Sequence, residues 1–215
     1  MESRKACQQR PGACVHRVAK AQSSYTSCRH YTGPIVMQTV VLCRFSYPAI
    51  GGFQVDHDTI DARRAFLYAP ERMEQRFALF EHLCLPGLRA QTDPDFDLVV
   101  LVGTCLPDPY LARLQALLAA MPQARIIARD PAPHRQTCQS VLNAARKHIN
   151  KPCLQVRHDD DDAIAVDFIA RLRKAASDCE ALLLGNKLVG FDWNRGYTIC
   201  RSDLHPFEIT ETVTP

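Results

Sequence analysis

The 215-residue sequence has no window approaching the roughly 18–20 consecutive apolar residues that a helical membrane span requires, and no compact apolar stretch behind a basic start. The first absence excludes a helix-spanning membrane protein and the second a conventional secretory signal. Together they predict a cytoplasmic protein. A C-x-x-C pair is also missing, although ten cysteines are spread from Cys7 to Cys200. With no export signal, most of these are expected to be free thiols, with Cys43, Cys105, Cys153 and Cys200 serving as small hydrophobes in or beside apolar runs. There is no global basic field either. The net charge of +3 conceals six Lys/Arg against Glu2 alone in residues 1–36, a balance of +5, so residues 37–215 carry −2. A body of that charge is not built for nucleic acid.

The first 36 residues are Arg-rich, contain Ser, are poor in acids and show no sustained period. They read as a disordered extension, arising either from a start codon placed upstream of Met37 or as a transit peptide. Within them Cys14-Val15-His16 and Cys28-Arg29-His30 form two C-x-H pairs. Their spacing matches none of the common zinc fingers, so scattered residues in a tail are expected rather than a zinc site. Domain-like sequence begins at Met37, and 47% hydrophobic residues in a chain of this length suffice for one sizeable core.

From Val40 onward, short apolar runs alternate with helical periods. The runs are VVLCRF (40–45), DLVVLV (97–102), RIIA (125–128), CLQVR (153–157) and ALLL (181–184). Runs this continuous predict strands buried on both faces of a parallel sheet. Between them Met73, Phe77, Phe80 and Cys84 recur at helical spacing, as do Leu111, Leu114, Leu118 and Met121. Val141, Ala145 and Ile149 do so more weakly, and Phe168, Leu172 and Ala175 mark a further helix. Alternating strands and helices predict a three-layer α/β domain with right-handed crossovers, in which ligands bind beyond the carboxyl ends of the strands. The run RHDDDDA, Arg157 to Ala163, falls at such an end.

Four adjacent carboxylates repel one another. One or two of them would be explained by a helix N-cap or first turn, where free N–H groups stabilise Asp by about 0.5–2 kcal/mol. A divalent cation would explain more. Mg²⁺ and Mn²⁺ prefer carboxylate oxygens, and Mg²⁺ is commonly held by one or two carboxylates with water and substrate phosphates completing its shell. An EF-hand is a poor match, because its spaced acids, central Gly and distal Glu are missing. Metal site and acidic turn both remain open from the run alone.

The surroundings carry a resemblance. A strand near the start, a helix leading into LPGLRAQTDPDFDLVVLVG (Leu85 to Gly103), the segment LNAARKHI (Leu142 to Ile149) and then CLQVRHDDDDA resemble a nucleotide-sugar glycosyltransferase of the GT-A fold. More narrowly, RFSYPAIGGFQ (Arg44 to Gln54), LRAQTDPDF (Leu88 to Phe96) and RHDDDDA are similar to the putative rhamnosyltransferase family of bacteria over about residues 38–200. The resemblance implies a three-layer GT-A-like domain over residues 37–215 with a mostly parallel sheet. It also implies a metal-dependent transferase moving a sugar, plausibly rhamnose, from a dTDP- or UDP-linked donor to a glycan or other hydroxyl acceptor.

By position, the resemblance implies that Asp159 faces the ribose or sugar, that Asp161 binds the metal (Mn²⁺ or Mg²⁺), and that Asp162 assists it. Asp160 takes the variable place, expected to be solvated or a cap, with the register open by one residue. Arg146 corresponds to an arginine suited to diphosphate oxygens. Two departures are visible. VGTC (Val102 to Cys105) lacks acids found after the second strand in many such enzymes, which leaves Arg44 or Asp130 to contact the nucleotide. After ALLLGNKLVGFDWNRGYTICR, read as a strand and then a hairpin turning at Asn194-Arg195-Gly196, the chain stops within fifteen residues, so the acceptor half looks truncated. Asp192 and Trp193 are the candidates for the sugar or acceptor site, since Trp offers a ring face. His205 and Glu208 in the short tail are weaker ones. The pair Arg63-Arg64 would face either phosphate or solvent.

Two rival readings stand beside this one. A non-catalytic nucleotide-sugar-binding fragment would bind donor without turnover. A metal-dependent phosphohydrolase would need a D-x-D-x-T-like nucleophile motif or paired acids at a second strand end, and neither is present.

Overall fold

The computed structural model describes residues 37–51, 57–193, 195–200 and 208–213. The C-x-H pairs, Gly52 to Gln54 of the RFSYPAIGGFQ motif, Asn194 and His205 lie outside them. Among the described residues no helix is long and apolar enough to cross a membrane, and Cys43, Cys84, Cys105, Cys138, Cys153 and Cys179 are free thiols.

Four parallel strands form the main sheet: β1 (Gln38–Arg44), β2 (Asp97–Gly103), β3 (Ala124–Arg129) and β4 (Cys153–Asp159), in the order β3-β2-β1-β4. The helices are α1 (Ile60–Leu67), α2 (Pro70–Leu79), α3 (Leu85–Arg89), α4 (Asp108–Leu118), α5 (His134–Ala144), α6 (Phe168–Asp178) and α7 (Glu180–Gly185), with a π-helical turn, Phe80–Cys84, joining α2 to α3. Strand alternation places Val41, Cys43, Phe45, Leu98 and Val100 in one core with Met73, Phe77, Phe80, Leu114 and Ile169. Val40, Leu42, Val99 and Leu101 face the other way, onto Cys138, Val141 and Leu142 of α5. Helices therefore cover both faces, giving the expected three-layer, mostly parallel α/β fold of GT-A type.

Burial separates the strands. β1 and β2 are buried nearly throughout, whereas β3 and β4, at the edges of this sheet, alternate between covered and open positions. Double burial thus applies to the two central strands only. The ALLL run is not a strand: it forms α7, with Leu182 and Leu184 exposed. Leu and Ala favour a helix more than a strand, and a four-residue apolar run carries no period to decide between them. Ile149 lies beyond α5 and is exposed. The C-terminal hairpin also differs from expectation. Arg195 and Gly196 belong to β5 (Arg195–Cys200), which pairs antiparallel with β6 (Glu208–Val213). The alternating, β-branched EITETV supplies the second strand from the short tail, where its partner across the hairpin fixes it.

The LPGLRAQTDPDF motif acquires a structural reason. The Gln91 side chain donates to the carbonyls of Gly87 and Ala165, both at 2.8 Å, and accepts from the Ile169 N–H at 2.9 Å. Thr92 N–H reaches the Val166 carbonyl at 2.8 Å. These bonds pin the connection between the Asp run and α6 to α3. The two segments lie so close that a Cβ on Gly87 would stand 2.6 Å from the Ile164 carbonyl oxygen. Alanine in a helix is ordinarily better than glycine by up to about 1 kcal/mol. Gly87→Ala is expected instead to destabilise the protein by about 1–3 kcal/mol, the usual cost of overpacking, as read from urea unfolding. A neutral or stabilising result would mean that the Asp-run connection is not held against α3.

Candidate functional site

Chain order runs outward from β1 to β2 and β3, then returns to β4 on the other side of β1. This reversal is a topological switch point, where ligand crevices form at strand carboxyl ends in open α/β sheets. Register puts Leu42 opposite Arg157, Cys43 opposite His158 and Arg44 opposite Asp159. A cavity of about 300 Å³ opens there, lined by Leu42 and Arg44 from β1, His134 and Cys138 from α5, Arg157, His158 and Asp159 from β4, and Asp162.

Strand alternation distributes the four aspartates. Asp159 points to the α5 side, where its Oδ1 lies 3.2 Å from the Arg44 guanidinium. Asp160 points the opposite way and is buried, 5% exposed. Its Oδ1 accepts from Arg76 of α2 at 3.1 Å, and the Ser46 backbone N–H supports it. Asp161 also turns to Arg76, with Oδ2 at 2.5 Å. The chain then turns, with Asp162 N–H bonded to the Asp159 carbonyl at 3.3 Å, and Asp162 returns to the cavity wall.

Two expectations are corrected here. Asp160, expected to be solvated or a cap, is the most buried of the four because it follows a strand residue whose neighbours alternate faces. None of the run caps a helix, since α6 begins only at Phe168. Arg76 is the partner that sequence reasoning missed. It sits beside the Met73/Phe77 stripe of α2, where nothing in the sequence separates it from a solvated helix arginine.

The loop after β1 fixes the rest of the site. Phe45 is buried against Phe77 and Phe80, with ring centroids 4.9 and 5.2 Å away. Ser46 turns the chain at φ 44°, a left-handed conformation uncommon outside Gly, Asn and Asp. Arg72 bonds the Ser46 hydroxyl at 3.2 Å. Ile50 then pairs with the start of α5 through Ile50 N–H to the Ala132 carbonyl at 3.0 Å and His134 N–H to the Ile50 carbonyl at 3.1 Å. This contact holds His134 at the cavity, with its Nε2 3.1 Å from Arg44. Arg63 is buried and donates to the Ala49 carbonyl at 2.9 Å, so it braces this loop, while Arg64 pairs with Asp61.

Other candidates lie elsewhere. Arg146 bonds the carbonyls of Ile149 and Lys151, beyond the C-terminal end of α5. The neighbouring Ala145 and Lys147 contact Gln38, the first residue of β1. Six residues of strand, roughly 20 Å, separate that end from Arg44, and Arg146 does not join the cavity. Asp130 follows β3, with its carboxylate accepting from the Thr104 hydroxyl at 2.5 Å and its carbonyl from the Tyr47 hydroxyl at 2.6 Å. It shares the carboxyl edge of the sheet but does not line the cavity. Trp193, 38% exposed, rests against Phe168 at the start of α6, with centroids 5.4 Å apart. Asp192 is exposed beside it.

Electrostatics follow this geometry. Burial pushes the Asp160 carboxyl up to about 6, against the pull of Arg76. Burial also raises Asp162, with Asp161 adding to it. Behind the run, a hydrogen bond from Cys43 and the His158 imidazole hold Cys84 below the ordinary thiol range, and Cys43 is raised. The unfolded value of Asp160 lies near 3.9, so folding disfavours its ionised form. That cost is absent below about pH 4 and complete above about pH 6. Between pH 4 and 7 in EDTA, the wild type is therefore expected to lose about 2–3 kcal/mol of stability relative to Asp160→Asn. Parallel stability profiles for the two proteins would contradict this.

Asp159 and Asp162 present two carboxylates to one cavity, which suits Mg²⁺ or Mn²⁺ completed by phosphate oxygens. Asp161 would have to leave Arg76 to join them. Among curated proteins, none matches the sequence. A family model described as "Putative rhamnosyl transferase" matches residues 38–215, from the first residue of β1 through the Asp run and the C-terminal hairpin. With that match spanning the parallel sheet and its switch-point cavity, the chain belongs to the putative rhamnosyl transferase family of glycosyltransferases.

Proposed function

We propose that the domain over residues 37–215 binds a nucleoside diphosphate sugar across the carboxyl ends of β1 and β4. It transfers the sugar, a deoxyhexose such as rhamnose, to a hydroxyl of a glycan or other acceptor. The observation that carries this reading is the cavity at the switch point, where Arg44 and Asp159 meet in register and Asp162 returns to the same wall. Arg44 faces the donor diphosphate. Asp159 accepts from ribose or sugar hydroxyls, and Asp130 lies farther along the same edge, on the nucleoside side. Asp192 and the Trp193 ring, at the start of α6, border the sugar or acceptor.

Asp159 and Asp162 would hold Mn²⁺ or Mg²⁺. When bound, such an ion supplies positive charge against the negative charge that develops on the leaving diphosphate. The residues themselves orient the donor. Arg44, fixed between Asp159 and His134, cannot swing freely, so the diphosphate meets a preformed guanidinium.

The test is calorimetric titration of the full chain with dTDP and UDP, with and without Mn²⁺, followed by assay of sugar transfer from the corresponding dTDP- or UDP-rhamnose. Metal-dependent binding of one nucleotide is expected. A folded protein that binds neither under any condition would overturn the reading, and binding without turnover would reduce it to a nucleotide-sugar-binding domain.

A further inference from the structure

We propose that Arg157 and His134 form the anion-binding half of the switch-point cavity, and that their ligand is the diphosphate of a nucleoside diphosphate. This rests on the donor-binding reading above and deepens it, since that reading gave Arg157 no role and used His134 only to position Arg44.

Alternation along β4 puts Arg157 and Asp159 on the same face, two residues apart. Their charges are met differently. Asp159 has Arg44 at 3.2 Å. Arg157 lines the cavity and makes no hydrogen bond or ion pair with any described residue. Its guanidinium therefore keeps five donors in a planar fork that matches two oxygens of a phosphate group. Its field nonetheless reaches the neighbours across the cavity: together with burial and Arg44, it lowers the pKa of His134.

His134 complements this charge with direction. Its Nε2 lies 3.1 Å from the Arg44 guanidinium, which can only donate, so Nε2 is the acceptor and the ring proton sits on Nδ1. The imidazole is thus a neutral donor held in one tautomer. It opens α5, an eleven-residue helix whose N-cap is Pro133 and whose first turn has no side-chain cap, so the positive end of the helix dipole lies beside the imidazole. His158 lies between Arg157 and Asp159 on the other face of β4, beside Cys84, and takes no part in this arrangement.

The cavity lining therefore combines two carboxylates, Asp159 and Asp162, with the Arg157 guanidinium and the neutral His134 imidazole. A diphosphate suits this mixture: Arg157 takes two oxygens in bidentate fashion, His134 takes another, and a cation held by the carboxylates would meet the remaining oxygens.

The experiment titrates the full-length wild type, Arg157→Gln and Arg157→Lys with inorganic pyrophosphate, dTDP and UDP in the presence of Mn²⁺. Arg157→Gln is expected to weaken pyrophosphate and nucleotide binding at least tenfold, and Arg157→Lys to lie between it and wild type. The melting temperature should be unchanged, because the side chain is exposed and unpaired. Pyrophosphate bound by Arg157→Gln as tightly as by wild type would overturn the inference. If the wild type binds pyrophosphate through Arg157 but binds neither nucleotide, the anion site stands and the donor reading fails. If nucleotide binding survives intact in Arg157→Gln, the donor reading stands and the anion site fails. A folded wild type that binds none of the three ligands overturns both.

Discussion

Arg76→Ala is expected to lower the stability of the protein by about 2–4 kcal/mol at pH 7. The reason is the carboxylate left behind. Asp160 is 5% exposed, and Arg76 bridges it to Asp161 at 3.1 and 2.5 Å. Removing one member of a buried ion pair costs about 3–5 kcal/mol, because the partner stays buried and uncompensated. The Arg76 side chain is 25% exposed, so water screens part of that cost and the lower range applies. Two controls give the prediction its content. At pH 4.5, where the Asp160 carboxyl takes up a proton, the penalty should shrink. In Arg76→Met combined with Asp160→Asn, the charge is gone from both sides and most of the loss should be recovered. Urea unfolding of the three proteins measures this, and an Arg76→Ala variant within 1 kcal/mol of wild type at pH 7 would show that Asp160 is not held by the pair.

Asp159→Asn is expected to lower sugar transfer by about 10²–10³-fold, the range for losing one preorganised stabilising group, with little change in stability. Asp159 is half exposed and its contact with Arg44 is a surface-type pair worth at most about 1 kcal/mol. Its functional weight is larger because the change acts twice. The amide is a poor ligand for a hard cation, and it loses the ion pair with Arg44, which in the proposed donor site faces the diphosphate. Asp162→Asn should weaken Mn²⁺-dependent nucleotide binding in the same titration while leaving Arg44 in place. Asp161→Asn should have a smaller effect, since that carboxylate is turned to Arg76. Steady-state turnover beside calorimetric Mn²⁺ titration checks the ranking. Should Asp161→Asn prove the most damaging of the three, Asp161 leaves Arg76 when the site is loaded, and the assignment of Asp159 and Asp162 fails.

Much was legible in the sequence because it depended on period and punctuation. Continuous apolar runs such as VVLCRF and DLVVLV placed the central strands, and the Met73–Phe77–Phe80–Cys84 stripe placed the long helical segment. An acidic run after such a strand marked the carboxyl edge of the sheet. The misses share a cause: ALLL carries no period, and the pairing of EITETV with Arg195–Cys200 is non-local, so neither could be read from a short window.

Residue order alone thus set the layer architecture, the carboxyl edge of the sheet at which the acidic run falls and the residue types gathered there. Local hydrophobic pattern suffices for that. The tertiary structure alone decided the division of labour among four identical side chains. Asp159 and Asp162 face the cavity and Asp160 and Asp161 face Arg76 because the strand ends between them and a helix arginine 84 residues from Asp160 waits on one side. It likewise placed Arg146 beyond the C-terminal end of α5, away from the cavity, and brought Arg157 and His134, from different elements, to line one cavity. Those outcomes depend on register and on which way each helix runs across the sheet, and adjacent letters in a sequence do not encode either.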